Sequence, residues 1–115
     1  MFEWPRYCTY WKQPEVEKFL RDNGLVKADF DGCHFGLRSC VNGSERMFLR
    51  KPWSLATNVP EVLEGFDERY CPGTGPDHLH DTTCGRNAKH SQGYTVDLVR
   101  KLHWCIKQHF QGSNR

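Results

Sequence analysis

Long hydrophobic runs are missing from this sequence. The longest uninterrupted apolar stretch is a few residues, against roughly 20 needed to cross a bilayer as a helix, so no transmembrane helix is expected. No apolar run follows a basic start, so no secretory signal is read and an intracellular location is expected. Strong charge of one sign is missing too. Sixteen Lys and Arg against fourteen Asp and Glu leave a formal net charge of +2, which is compatible with nucleic-acid contact without requiring it. Internal repeats and low-complexity tracts are absent as well.

What remains is 115 residues, enough for one domain with its own core. The mean hydropathy is -0.75, and four Trp, four Tyr and seven Phe offset the modest aliphatic content with large buried area per residue. Six Cys and six His are the unusual counts. In a secreted chain six Cys suggest three disulfides, whereas an intracellular chain uses them as metal ligands or free thiols. The start at Met1-Phe2-Glu3-Trp4-Pro5 reads as a strand end, which suggests an excised domain or a fragment of a longer one.

Pro14 opens a helix over 14–23, with Val16, Phe19 and Leu20 as its apolar stripe and Asn23-Gly24 as its left-handed end. Residues 25–31 alternate as a strand. The run from Phe35 to Val41 meets Asn42-Gly43 and returns at Met47 to Leu49, the pattern of a hairpin. Trp53 to Ala56 is a further strand. Asn58 and Glu61 form a capping box for a helix over 60–66. Val96, Val99, Leu102, Ile106 and Phe110 mark one face of a last helix over 95–110, and 111–115 read as a frayed tail. The fold class is therefore α/β: a small mixed sheet of four or so strands with about three helices, in one domain spanning 1–110.

Residues 67–93 carry no apolar periodicity, and loops of that length inside a compact domain are usually functional or held by something. This one holds Cys71, His78, His80 and Cys84. Zn²⁺ takes four Cys or His ligands in a tetrahedron, and a turn-rich loop is where a metal substitutes for hydrophobic burial. Cys33-His34 and Cys40 bracket a turn that can supply one ligand, although small buried residues on the hairpin are the preferred reading. Asp77-His78 followed by Asn87 and His90 offers the residue types of a metal-dependent nuclease, at a spacing too short for its usual arrangement. Asp29 and Asp31 alternate at a strand end and could together bind a divalent cation, but no third carboxylate is in place, and strand-end solvation and turn capping are the preferred reading.

Glu3-Trp4-Pro5 before a helix, ADFDGCHFGL over 28–37, a hairpin and RKPWSLATN over 50–58 together resemble the second half of a DNA cytosine methyltransferase domain. The resemblance places Glu3 at the glutamate that holds the cytosine ring and Pro5 at the variant with proline, while Trp4 stands where the family has asparagine. Arg50 matches the first basic position of an R-x-R strand, with Pro52 at the second. The family's cofactor loop and Pro-Cys nucleophile would lie upstream of Met1, which implies a half-domain that needs an upstream domain or a partner chain. The same string, with its C…H-x-H…G continuation, is similar to a domain of retroelement-like polyproteins of protists.

Three functional classes are carried forward. The leading one is a non-catalytic, zinc-stabilised module of a mobile-element protein, touching nucleic acid through Arg38, Arg46, Arg50 and Lys51 with Trp53 and Trp4 as stacking faces. An equally simple reading has those cations guarding an edge strand. The others are an enzyme, either a metal-dependent nuclease or a methyltransferase-like half, and a structural protein-interaction module.

Overall fold

A computed structural model describes residues 1–82 and 85–113. Three strands form the sheet in the order β1-β3-β2, with β1 at Phe2–Pro5, β2 at Val26–Asp31 and β3 at Pro52–Thr57. Both pairings are antiparallel, Phe2 facing Ala56 and Val26 facing Thr57. Parallel pairing enters at an isolated bridge between Phe30 and Arg69. Four helices complete the α/β fold: α1 Pro14–Asp22, α2 Pro60–Phe66, α3 Arg86–His90 and α4 Val96–Ser113. Among the described residues no helix is long and apolar enough to cross a membrane.

Side chains alternate across the sheet, and each face has its own cover. Ala28, Phe30, Trp53 and Leu55 point into the main core, where Val62 and Phe66 of α2 and Leu98 and Cys105 of α4 meet them. Phe30 is the hub: its ring lies edge-on to Phe35, Trp53 and Phe66 at 5.2–5.7 Å. Phe2 and Trp4 occupy the opposite face of β1, against Trp11 at ring distances of 5.5 and 4.8 Å. Trp11 belongs to a 3₁₀ turn over Thr9–Lys12 that leads into α1.

Several expectations need correction. The hairpin around Asn42-Gly43 shrinks to one antiparallel bridge, Arg38 with Phe48, flanked by bonds from Ser39 N to Met47 O and Leu49 N to Leu37 O. The Gly32–Phe35 segment, a 3₁₀ turn, consumes residues that a longer strand would have used. Asn58 does not cap α2. Val59 holds that position, Pro60 opens the helix, and the Val59 N–H donates instead to Thr57 Oγ1. The α1 stripe is only half covered, with Phe19 51% exposed, because the aromatic cluster of β1 and Trp11 already fills that face. Helix α3 lies inside the region read as loop, and α4 continues into the expected tail.

The buried face of α4 is also displaced. Leu98 and Cys105 point inward with Leu102 and Ile106 packed beside them, whereas Val96, Val99 and Phe110 are exposed. Gly65 explains the shift. A Cβ there would lie 2.6 Å from Cys105 Sγ, so the bare backbone of α2 forms the notch that receives the thiol. The helix turns to fill it.

Candidate metal centre

Strand β2 ends at Asp31, and Gly32 begins the turn that carries Cys33. The Gly32 N–H donates to the carbonyls of Arg50 and Lys51, and a Cβ at Gly32 would lie 2.8 Å from Leu37 Cδ2. Gly36 closes the turn in the left-handed region at φ +79°, a conformation open to glycine at little cost. Cys33 is thereby turned into the protein and is 4% exposed.

Cys71 reaches the same point by a different route. The chain leaving α2 runs alongside β2: Glu68 N donates to Asp29 O, and Asp31 N to Arg69 O. Cys71 N then donates to Asp31 Oδ2 at 2.8 Å. Asp31 is fully buried, and Arg6 pairs with its Oδ1 at 2.8 Å while Arg50 Nε reaches Oδ2 at 3.3 Å. One carboxylate thus levels the two cysteines 38 residues apart in sequence.

The histidines come from an extended segment beyond a tight turn. Gly75 and His78 exchange backbone hydrogen bonds, and His80 forms a parallel bridge with Phe48, through Phe48 N to Leu79 O and Asp81 N to Phe48 O. Residues two apart in an extended chain face the same side, so H-x-H aims both imidazoles at the cysteines. His78 stacks on Phe48 at 4.4 Å.

Cys33, Cys71, His78 and His80 form a Cys₂His₂ cluster able to hold a metal ion, with all four ligand atoms within 4.8 Å of one another. Cys71 Sγ lies 3.5 Å from His78 Nε2 and 3.3 Å from His80 Nε2. For metal bonds of about 2.0–2.3 Å the edges of a tetrahedron measure about 3.3–3.8 Å. The two Cys71–histidine separations fall in that range, and the cluster as a whole spreads to 4.8 Å. Burial, followed by the hydrogen bond and charge of Cys71, pushes the Cys33 thiol up to about 12. Burial, followed by the neighbouring His78, lowers the His80 pKa, a shift toward the neutral imidazole that metals take.

Of the expected ligands, Cys71, His78 and His80 come together, and Cys84 lies outside the described residues. Cys33 is buried, as the preferred reading has it, and its sulfur also joins the cluster. His34 faces solvent and contacts the Tyr70 carbonyl, and Cys40 is held through its backbone by Asn87. Asn87 is itself buried and bonded among Ser39, Asp81 and Thr82.

The expected nucleic-acid residues divide. Arg38 and Arg46 are exposed beside one cleft. Arg50 is exposed but paired with Asp31, and Lys51 is partly buried, donating to the Ser91 carbonyl and lying over the Trp53 ring. Trp53 is 1% exposed and belongs to the core. Its role as a stacking platform is corrected: β3 is the central strand, and its residue 53 faces α2 and α4.

Fold and site together define a small α/β domain built around a three-stranded sheet with a Cys₂His₂ cluster at the end of β2. Comparison with protein-family models, with curated proteins and with solved structures found no match.

Proposed function

We propose that Cys33, Cys71, His78 and His80 bind one Zn²⁺ in a closed structural site, and that the domain so pinned is a non-catalytic, mobile-element-type module that contacts nucleic acid. The observation that carries the metal reading is the convergence of two sulfurs and two ring nitrogens within 4.8 Å. Four protein ligands complete a tetrahedron and leave no position for a reacting water, as structural zinc sites do. This set favours zinc over calcium or magnesium, which take oxygen ligands. The enzymatic alternatives draw less support. Glu3, the methyltransferase-like carboxylate, accepts a hydrogen bond from Tyr94, and Arg50 is committed to Asp31.

Native mass spectrometry of the purified chain, before and after chelator, tests the site. One zinc per chain is expected. Cys33→Ser and Cys71→Ser should each abolish tight binding, whereas Cys84→Ser should retain one ion. A metal-free wild type, or zinc lost with Cys84 and kept without Cys33, rejects the assignment.

A further inference from the structure

A cleft of about 390 Å³ opens beside the Cys/His cluster, lined by Arg38, Arg46, Phe48, Pro76, Asp77 and Leu79 among others. Its size falls within the usual range for small-ligand pockets, about 300–1,000 Å³. Arg38 and Arg46 are exposed and form no ion pair with any described residue. The Arg38–Phe48 bridge and the Ser39–Met47 hydrogen bond bring their two segments together. Arg38 also lies over the Phe48 ring, its guanidinium carbon 4.6 Å from the centroid. That same ring stacks on His78, a member of the cluster. The Pro76–Leu79 wall is the tip of the turn that delivers His78 and His80. One side of the cleft is therefore shaped by the metal-binding segment, and its arginine rests on a ring that a ligand histidine holds in place.

We propose that this cleft binds a phosphate ester, with Arg38 and Arg46 on the phosphate and Phe48, Pro76 and Leu79 against the attached nucleoside, and that it does so only when the neighbouring cluster holds its metal. The proposal rests on the zinc reading above and deepens it by locating the nucleic-acid contact. Planar guanidiniums match phosphate oxygens in pairs, which lysines do not. Asp77 is the one acidic residue of the lining and opposes the anion, so the site predicts its own improvement. Asp77→Asn should tighten binding.

The test uses the full chain, with zinc content read independently by native mass, and a labelled ten-residue oligothymidylate followed by fluorescence anisotropy beside free thymidine monophosphate followed by calorimetry. Zinc-loaded wild type should bind the oligonucleotide with a log–log salt slope of about −1.4 for two phosphates on a single strand. Arg38→Gln and Arg46→Gln should each weaken binding about tenfold and lower the slope by about 0.7. Arg38→Lys keeps the charge but loses the planar fork and should fall between wild type and Arg38→Gln. Chelation should weaken wild-type binding at least as much as either glutamine variant. Binding of the monophosphate as tightly as the oligonucleotide would assign the cleft to free nucleotides with the same phosphate chemistry. If both glutamine variants bind like wild type, or zinc-loaded protein binds neither probe, the cleft assignment fails while the zinc site stands. Equal binding with and without measured zinc overturns the metal dependence, and a chain that takes up no zinc overturns both readings.

Discussion

At the scale of single residues, the buried polar side chains act as fasteners between distant segments. Asp31 is the clearest: a fully buried carboxylate that meets two guanidiniums and the Cys71 N–H. Buried charge is tolerated because every acceptor face has a partner. Tyr94 fastens β1 to the segment that enters α4, its hydroxyl donating to Glu3 Oε1 at 2.7 Å. That bond, followed by burial and the Glu3 charge, pushes the phenol up to about 12. A raised folded-state pKa means that the folded protein holds the proton more tightly than the unfolded chain does. The stabilisation is complete below about pH 10, the ordinary tyrosine value, and is lost as pH climbs toward about 12. Tyr94 is 53% exposed, so solvent screens the bond; Tyr94→Phe should lower the melting temperature at pH 8 by only a degree or two, consistent with about 0.5 kcal/mol. The gap between wild type and variant should close at alkaline pH. A gap that persists unchanged at pH 11.5 would place the effect in packing.

At the scale of elements, the α2–α4 contact decides which face of the last helix is inside. Gly65 allows α2 to approach so closely that a Cβ would also stand 3.2 Å from Lys101 Cε. Lys101 is flexible and can move, but the Cys105 sulfur, fully buried on its helix, has nowhere to go. Gly65→Ala gains helix propensity of about 1 kcal/mol, yet overpacking a filled core costs about 1–3 kcal/mol. Net destabilisation is expected in urea denaturation. Cys105→Ala removes the obstructing sulfur, so the double variant should be more stable than the sum of the two single changes. Strict additivity would show that the two side chains do not oppose each other. A second inter-element device is the Asn87 network. It joins α3 to Ser39 and Cys40: Oδ1 accepts from Cys40 N, and Nδ2 lies within donating distance of Ser39, Asp81 and Thr82.

At the scale of the whole molecule, two parts have different sources of stability. The sheet with α2 and α4 encloses a continuous core of aromatic and aliphatic side chains, which is expected to hold the sheet together without a metal. The 72–82 segment contributes no residue to that core and is held by backbone bridges to Phe48 and by the Cys/His cluster. Zinc at 100 times its dissociation constant adds about 2.7 kcal/mol, or roughly 10 °C in melting temperature for a domain of this size. Chelation should lower the melting point by that order. In hydrogen exchange it should deprotect 72–82 while β1, β2 and β3 stay protected. An unchanged melting point, or a sheet that opens together with the loop, would contradict this division.

Local patterns in the sequence were enough for most elements. Proline at the first turn of α1 and Gly24 beyond its end marked that helix, alternation marked β2, and the apolar run from Trp53 to Ala56 marked β3. The long stretch without apolar periodicity suggested a metal, and H-x-H within it supplied two neighbouring members of the cluster, because an extended backbone sets residues two apart on one side. Cys33 was one of several residues that could add a further member, and tertiary structure selected it. Its partner lies 38 positions away, and nothing local to Asp31-Gly32-Cys33 states that the chain leaving α2 will run parallel to β2 and stop level with it. The turn formed by Gly32 and Gly36 was the available signal, but it fixes a direction and not a partner. The burial of Trp53 and the rotation of α4 have the same origin. A side chain's periodicity shows that it has an apolar neighbour, whereas which face is covered depends on which elements pack there; for α4, the close approach of Gly65 to Cys105 is part of that packing.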